Sequence, residues 1–292
     1  MVNETPLLKC KELATLKPQD EWWFYQCGGG VPEDTTGVYS EEDIRNLLSH
    51  LETIFDNRWY VKHGNSANRG ICANLLLGGV QNTAGNIMRL AYNISRLGGI
   101  AQLGKQTRDS LRNVRQCLDI ILELEVLSCF AEEGFSLRPY PLLSNGKRPD
   151  AKVTVDKTEI FVEITAVDWP RPEHFPGLDW KSKQGSKLIE KSITKVSQLP
   201  HSQCGVVVVN PPTLFDEEVA RAIMGAMEAY LAPDLYTGIS GIILANKRIE
   251  RSGFLKACPT VLVNTHACKR CDSELFRLAE ALYKHPANPG VI

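Results

Sequence analysis

Four consecutive valines, Val206 to Val209, follow Gly205 with no polar residue between them. A β-branched run without alternation suits a strand buried on both faces of a sheet, and such a strand needs helices above and below it. The neighbouring sequence offers them. Leu188, Ile189, Ile193 and Val196 fall at helical spacing within Ser186 to Leu199, and a second helix is expected from Phe215 to Leu231, started by Thr213 or Asp216. Strands Gly241 to Ala245 and Thr260 to Val263 follow, then a helix from Asp272 to Tyr283.

Upstream of the valines, Leu111, Val114, Leu118, Ile121, Leu122 and Val126 mark one face of a long helix, about Thr107 to Glu133, that stops at Gly134. Three strands are expected next, near Phe135 to Tyr140, Ala151 to Val155 and Glu159 to Ala166, with Asp156-Lys157 as a tight hairpin turn between the last two. The order α-β-β-β-α-β, then α-β-β-α, predicts an α/β domain with a mixed sheet and helices on both faces. Its expected extent is 105–292.

Residues 1–104 differ in texture and read as a mainly helical N-terminal region. Ser40 and Asp43 resemble a capping box ahead of Ile44, Leu47, Leu48, Leu51 and Ile54, while Gly98-Gly99 marks a helix end further on. The aromatic cluster Trp22 to Tyr25 precedes a turn at Gly28-Gly29-Gly30.

A formal net charge of -1 on 292 residues means that any nucleic-acid contact must come from a local basic face. Nine cysteines, scattered and odd in number, suit reduced core thiols better than a disulfide framework. The N-terminus lacks the layout of a secretory signal and no apolar run approaches the roughly 18 residues a membrane span needs, so a cytoplasmic protein with no membrane role is expected.

Between Glu123 and Thr165 three carboxylates arrive from a helix and two neighbouring strands: Glu123 in the apolar helix, Asp150 after Pro149 at a strand start, and Glu163 in the next strand. Such a set is a natural way to hold a hard divalent cation, because Mg²⁺ prefers oxygen ligands. The chemistry expected of such a site is phosphodiester cleavage. Each carboxylate also has an ordinary explanation. An Asp after Pro is common turn chemistry, and alternation puts Phe161, Glu163 and Thr165 on one face of their strand, where Glu163 could meet solvent.

The segments Ile121-Leu-Glu-Leu-Glu-Val-Leu, Arg148-Pro-Asp150 and Phe161-Val-Glu163-Ile-Thr165 resemble the motifs of the PD-(D/E)xK nuclease superfamily, with its restriction-endonuclease-like core of the same α-β-β-β-α-β order. The resemblance covers about residues 105–210. It implies a Mg²⁺-dependent nuclease, with Mn²⁺ as a substitute, in which Asp150, Glu163 and the carbonyl of Ile164 are the metal ligands and a helix glutamate completes the outer site. Glu123 fits that glutamate better than Glu125 because it lies eleven residues before Gly134; the two are about 200° apart on a helix, so only one can face the sheet. The implied substrate is nucleic acid, in the first place DNA, and the resemblance leaves a homodimer open.

Thr165 stands where the motif carries lysine. Threonine donates a hydrogen bond without charge, and loss of a placed electrostatic donor costs on the order of 100- to 1000-fold in rate. Lys187, Lys191 and Lys195 form an i, i+4, i+8 stripe on the following helix, and the resemblance would give Lys187 or Lys191 the missing role. The same stripe also suits an ordinary solvated face. Lys147, Arg148, Lys152, Arg171, Lys181 and Lys183 add base near the site, where phosphate contacts would be wanted. Trp169 and Trp180 lie on the connection after the third strand, where stacking on a base competes with packing on the core.

His266, Cys268 and Cys271, with Cys258 upstream, include one Cys-x-x-Cys but not the second pair that structural zinc usually needs, so reduced thiols at a strand-to-helix turn are expected. No phosphate-cradling glycine motif and no Gly-x-Ser-x-Gly elbow is present. Two functions from different classes follow: a metal-dependent nuclease, or a catalytically inactive nuclease-fold protein acting as a nucleic-acid-binding or assembly module.

Overall fold

The computed structural model describes residues 51, 54, 55, 59, 90, 93–99, 103–113, 116–166, 199, 200, 202–210, 217–228, 231, 237–249 and 255–284. Its regular elements are α1 (Gly104–Arg112), α2 (Cys117–Glu132), β1 (Ser136–Pro139), β2 (Ala151–Val155), β3 (Thr158–Ala166), β4 (Cys204–Asn210), α3 (Glu217–Glu228), β5 (Gly241–Leu244), β6 (Lys247–Ile249), β7 (Leu255–Ala257), β8 (Thr260–Val263) and α4 (Asp272–Lys284). The expected N-terminal helices fall almost wholly outside the described residues, as do the expected helix Ser186 to Leu199, bar its last residue, and the connection carrying Trp169 and Trp180. The chain divides into two units, one of Met1–Ser128, Ile249–Leu255 and Asn288–Val291, the other of Cys129–Arg248, Lys256–Ala287 and Ile292.

The second unit is built on a six-stranded mixed sheet in the order β1-β2-β3-β4-β5-β8, and β6 pairs with β7 separately. β1, β2 and β3 form an antiparallel meander, β3, β4 and β5 run parallel, and β8 closes the far edge antiparallel to β5. The valine run behaves as its composition requires: β4 lies between two strands and is buried at all seven positions. Its parallel pairing with β3 demands a long crossover, which 167–203 supplies.

Register assigns the two faces. Phe161, Glu163 and Thr165 align with Gly205, Val207 and Val209, and the last two of these align with Ile242 and Leu244. On that face Phe161, Val207, Val209, Ile242 and Leu244 pack with Ala220, Met224 and Met227 of α3 and with Leu199, Leu231 and Ile239. The opposite face takes α4, whose Leu275 lies over Gly241. Burying each such large apolar side chain contributes about 1.5–3 kcal/mol. Thr158 Oγ1 donates to Glu274 Oε1 at 2.7 Å and Lys284 Nζ reaches Glu133 Oε1 at 2.9 Å, while Arg277 pairs with Asp156 and lies 5.4 Å above the Phe135 ring. These contacts fasten α4 across the meander.

The expected helix Thr107 to Glu133 is two helices. Asn113 takes an extended conformation (φ -86°, ψ 109°) as the C-cap of α1, and its carbonyl accepts from the N–H groups of Gln116 and Cys117. Asparagine is a poor helix former, so the chain leaves the helix here at small cost. At the far end of α2 the stop at Gly134 is as expected: Gly134 has φ 83°, and Phe135 N–H donates to the Phe130 carbonyl at 3.1 Å while Gly134 N–H donates to Ala131 at 3.1 Å, a Schellman closure. Gly98-Gly99 ends the helical backbone of 93–96 with the same two bonds, to Ser95 and Ile94.

Within the first unit, Trp59 Nε1 donates to the Arg112 carbonyl at 2.7 Å and its ring meets Phe55 edge-on at 4.8 Å. Ser128 Oγ donates to Asn93 Oδ1 at 2.8 Å. Among the described residues no helix is long and apolar enough to cross a membrane.

The hairpin turn falls at Asp156-Lys157, with φ of 47° and 77°. Two consecutive positive φ values define the twist-matched type I′ turn, in which glycine is favoured at the second position. Arg277 beside Asp156 holds that carboxyl below the usual range, chiefly by hydrogen bonding. Lys157→Gly keeps this pair and relieves a left-handed lysine, so urea unfolding should show a gain of about 0.5–1 kcal/mol.

Candidate metal and phosphate site

Asp150 precedes β2 and follows a buried Pro149. Its backbone carbonyl accepts from Tyr140 N–H at 2.9 Å, which closes the loop between β1 and β2, and its Oδ2 accepts from Ile164 N–H at 2.7 Å. The side chain therefore reaches the backbone of β3 where the β2 ladder has run out, since the last pairing at that end is Ala151 with Val162. In an extended strand the N–H and C=O of one residue point to the same side. The Ile164 carbonyl is accordingly directed toward the β2 side, beside Asp150.

Glu163 is 0% exposed and both of its carboxylate oxygens are buried. The expectation that it could face solvent is corrected: every residue of β3 from Ile160 to Thr165 is buried, so both faces are covered at this position. Such burial is rare for glutamate, because removing a carboxylate from water costs several kcal/mol until a proton, a partner or a metal offsets it. Asp150 and Glu163 share a sheet face by register continuation, one residue beyond the Ala151–Val162 pair.

Thr165 lies two residues further along the same face, is 0% exposed, and its Oγ1 has no hydrogen-bond partner among the described residues. A buried hydroxyl in that state costs about 1–3 kcal/mol. The structure thus brings Asp150, Glu163, Ile164 and Thr165 together at one end of β3.

Glu123 belongs to the first unit, on α2, and is 6% exposed; Glu125 is 2% exposed. α2 is buried without a break from Leu122 to Phe130, as an apolar helix with no polar face should be. Both glutamates are therefore interior. Lys187 and Lys191 lie outside the described residues.

Sequence reasoning passed over Tyr140, which sits opposite Asp150 with φ 48°. A left-handed tyrosine is an uncommon, costly conformation that clusters at functional sites. Its only sequence cue was the Pro139-Tyr-Pro141 step ending β1.

The donors at this site are oxygens alone, two carboxylates and a carbonyl, which is the chemistry of Mg²⁺ rather than of thiol- or imidazole-bound metals. Among the described residues no three His, Cys, Asp or Glu side chains gather as a metal-binding group. His266, Cys268 and Cys271 form no such group either. Cys129, Cys204, Cys258, Cys268 and Cys271 are free thiols, while Cys117 departs from the expected reduced set and is disulfide-bonded.

Burial, with the neighbouring Cys204 adding to it against a hydrogen bond with Ser240, pushes the Cys271 thiol up from 9.0 to about 12. A raised thiol contributes its stability fully below about 9.0 and loses it as pH rises toward about 12. At pH 8 only about one molecule in 10⁴ would carry the Cys271 thiolate. Cys268 is exposed. Iodoacetamide followed by peptide mapping should label Cys268 at least about 100-fold faster than Cys271.

No protein-family model matches the chain, and the search of curated proteins gives no match. Among solved structures, one titled "The structure of Pyrococcus Furiosus SfsA in complex with Ca2+" is similar at 21% identity with a TM-score of 0.21. The likeness covers 48% of this chain and 59% of that one.

Proposed function

We propose that this chain is a Mg²⁺-dependent nuclease of the PD-(D/E)xK type that hydrolyses phosphodiester bonds in DNA, with Mn²⁺ able to substitute. The observation that carries the reading is the 2.7 Å bond from Ile164 N–H to Asp150 Oδ2, which sets Asp150 beside the buried Glu163 where β2 ends. The meander β1-β2-β3 followed by a parallel β4 supports it, because the resemblance calls for three strands, a crossover and a fourth.

Asp150 and Glu163 would hold the ion, with the Ile164 carbonyl as a third oxygen and water at the remaining positions, a common arrangement for Mg²⁺ on one or two carboxylates. Such an ion, when bound, lowers the pKa of a water and offsets charge on the phosphate oxygens. Asp150 is oriented by the Ile164 N–H before any ligand arrives, so little reorganisation is asked of it. Thr165 offers a neutral hydroxyl where a cation would otherwise stand, and Lys187 or Lys191 is the source we assign for that charge.

One observation favours a second reading, a non-catalytic module that binds nucleic acid: Thr165 is uncharged and sealed inside the sheet face. Incubation of plasmid, linear duplex, single-stranded DNA and RNA with Mg²⁺ or Mn²⁺ separates the two. Cleavage lost in Lys187→Ala or in Lys191→Ala names the substitute lysine. No cleavage of any substrate, together with no metal-dependent rise in Tm, would sink the hydrolytic reading in favour of the module.

A further inference from the structure

The face that carries Asp150, Glu163 and Thr165 is covered only in part. Phe161, Val207, Val209, Ile242 and Leu244 on this face lie in one buried cluster with Ala220, Met224 and Met227 of α3, and Leu143 of the β1–β2 loop packs against the same cluster. Toward β1 and β2 it opens. Ser136 and Arg138 of β1 are exposed and Lys152 and Thr154 of β2 are partly so. Register puts these residues on the site's own face, since Arg138 aligns with Lys152, and Lys152 with Phe161. Lys152 is two residues from Asp150 along β2, about 7 Å in an extended strand.

Arg138 and Lys152 face each other directly across two strands, where Cβ atoms stand about 4.5–5.5 Å apart and like charges repel. Glu159, next on the same face, takes only one of the two: its Oε1 lies 2.7 Å from Lys152 Nζ. Among the described residues Arg138 has no acidic partner. The open half of the face thus carries an unbalanced cation within one residue pair of the strand end where Asp150 sits. With Lys152 held by Glu159, Arg138 is the member of the pair left to take an anion, and its guanidinium can do so with two charge-assisted hydrogen bonds.

We infer that Arg138 and Lys152 form a phosphate-binding step and that the partner is the phosphodiester backbone of a nucleic-acid strand lying along β1 and β2 toward Asp150. The inference rests on the nuclease reading for the direction of that strand, not for the binding itself. Ser136 and Thr154, one pair further out, offer hydroxyls to the next phosphate along the same line. Arginine suits this use because its planar fork grips a phosphate with two donors.

The test is fluorescence anisotropy of the full chain in EDTA with labelled duplex DNA, and with duplex RNA as a second arm, across a salt series. One phosphate contact contributes about 0.9 to the slope of log K against log salt on DNA, so its loss costs about 8-fold at 0.1 M salt. Arg138→Ala should lower the slope by about one and weaken binding about 5- to 10-fold, while Arg138→Lys keeps most of the slope. Lys269→Ala, an exposed lysine in the turn before α4, should leave both unchanged. Equal losses in Arg138→Ala and Lys269→Ala would mean diffuse attraction and overturn the step. Unchanged binding in Arg138→Ala while metal-dependent cleavage persists would overturn it and leave the nuclease reading standing. Arg138-dependent binding without cleavage of any substrate would uphold the step and remove the nuclease reading. The arm with the larger loss, DNA or RNA, identifies the polymer.

Discussion

Asp150→Ala should abolish metal-dependent cleavage, with a rate loss of at least about 100- to 1000-fold, while the protein stays folded. The alanine removes the carboxylate that reaches Ile164 N–H at 2.7 Å and leaves that donor at the end of β2, where water can replace the lost acceptor because Asp150 is only partly buried. The structural cost should therefore stay near 1 kcal/mol. The functional cost is larger, since one of the two carboxylates proposed to hold the ion disappears. Mn²⁺ titrated against Tm supplies a second readout. Wild type should gain stability as RT ln(1 + [L]/Kd), about 2.7 kcal/mol at 100-fold excess over Kd, and Asp150→Ala should gain almost none. Asp150→Ala that still cleaves at the wild-type rate would remove Asp150 from the site and the proposed chemistry with it.

Local punctuation explains which elements were legible in the sequence. β2 is found at Ala151–Val155 as expected, because Asp150 opens it and the Asp156-Lys157 turn closes it. β8 coincides with Thr260 to Val263, and β4 and β5 each agree to within one residue at either end, since continuous apolar runs bound by glycine or polar residues leave little choice. β1 is shorter than the expected Phe135 to Tyr140. Phe135 is spent on the helix closure at Gly134 and Tyr140 turns left-handed, neither of which propensity reveals. The short pair β6 and β7 has no comparable signal, with Lys247-Arg248 and Lys256 interrupting three-residue strands.

The candidate site divides in the same way. Alternation along β3 puts Phe161, Glu163 and Thr165 on one face, but both faces are buried from Ile160 to Thr165, because what packs above and below the sheet comes from elsewhere in the chain. A period of two cannot show that. The exposed Arg138 was invisible for a related reason: its place on the site's face follows from the β1-to-β2 register, and a loop of eleven residues from Tyr140 to Asp150 conceals that register in sequence.

The close approach at Gly241 gives the second large effect, this time on stability. A Cβ added there would lie 2.3 Å from Leu275 Cδ2 and 2.7 Å from the Leu262 carbonyl oxygen. The first clash presses on a fully buried leucine of α4, and the second on the backbone of β8, whose pairing with β5 fixes it. A flexible side-chain end can turn aside, whereas the paired carbonyl can move only by shifting the strand. Overpacking of this kind costs about 1–3 kcal/mol, and the backbone contact puts Gly241→Ala toward the upper end. Urea unfolding followed by circular dichroism should show a midpoint fall with an unchanged m value, because the sheet would keep its extent while α4 seats less well. Leu275→Ala alone should also destabilise, by about 2–5 kcal/mol. Combined with Gly241→Ala, it should cost less than the sum of the two, because the smaller side chain makes room for the added methyl group. Strict additivity of the pair would mean that Leu275 does not press on Gly241, and α4 would then have to seat elsewhere on the sheet.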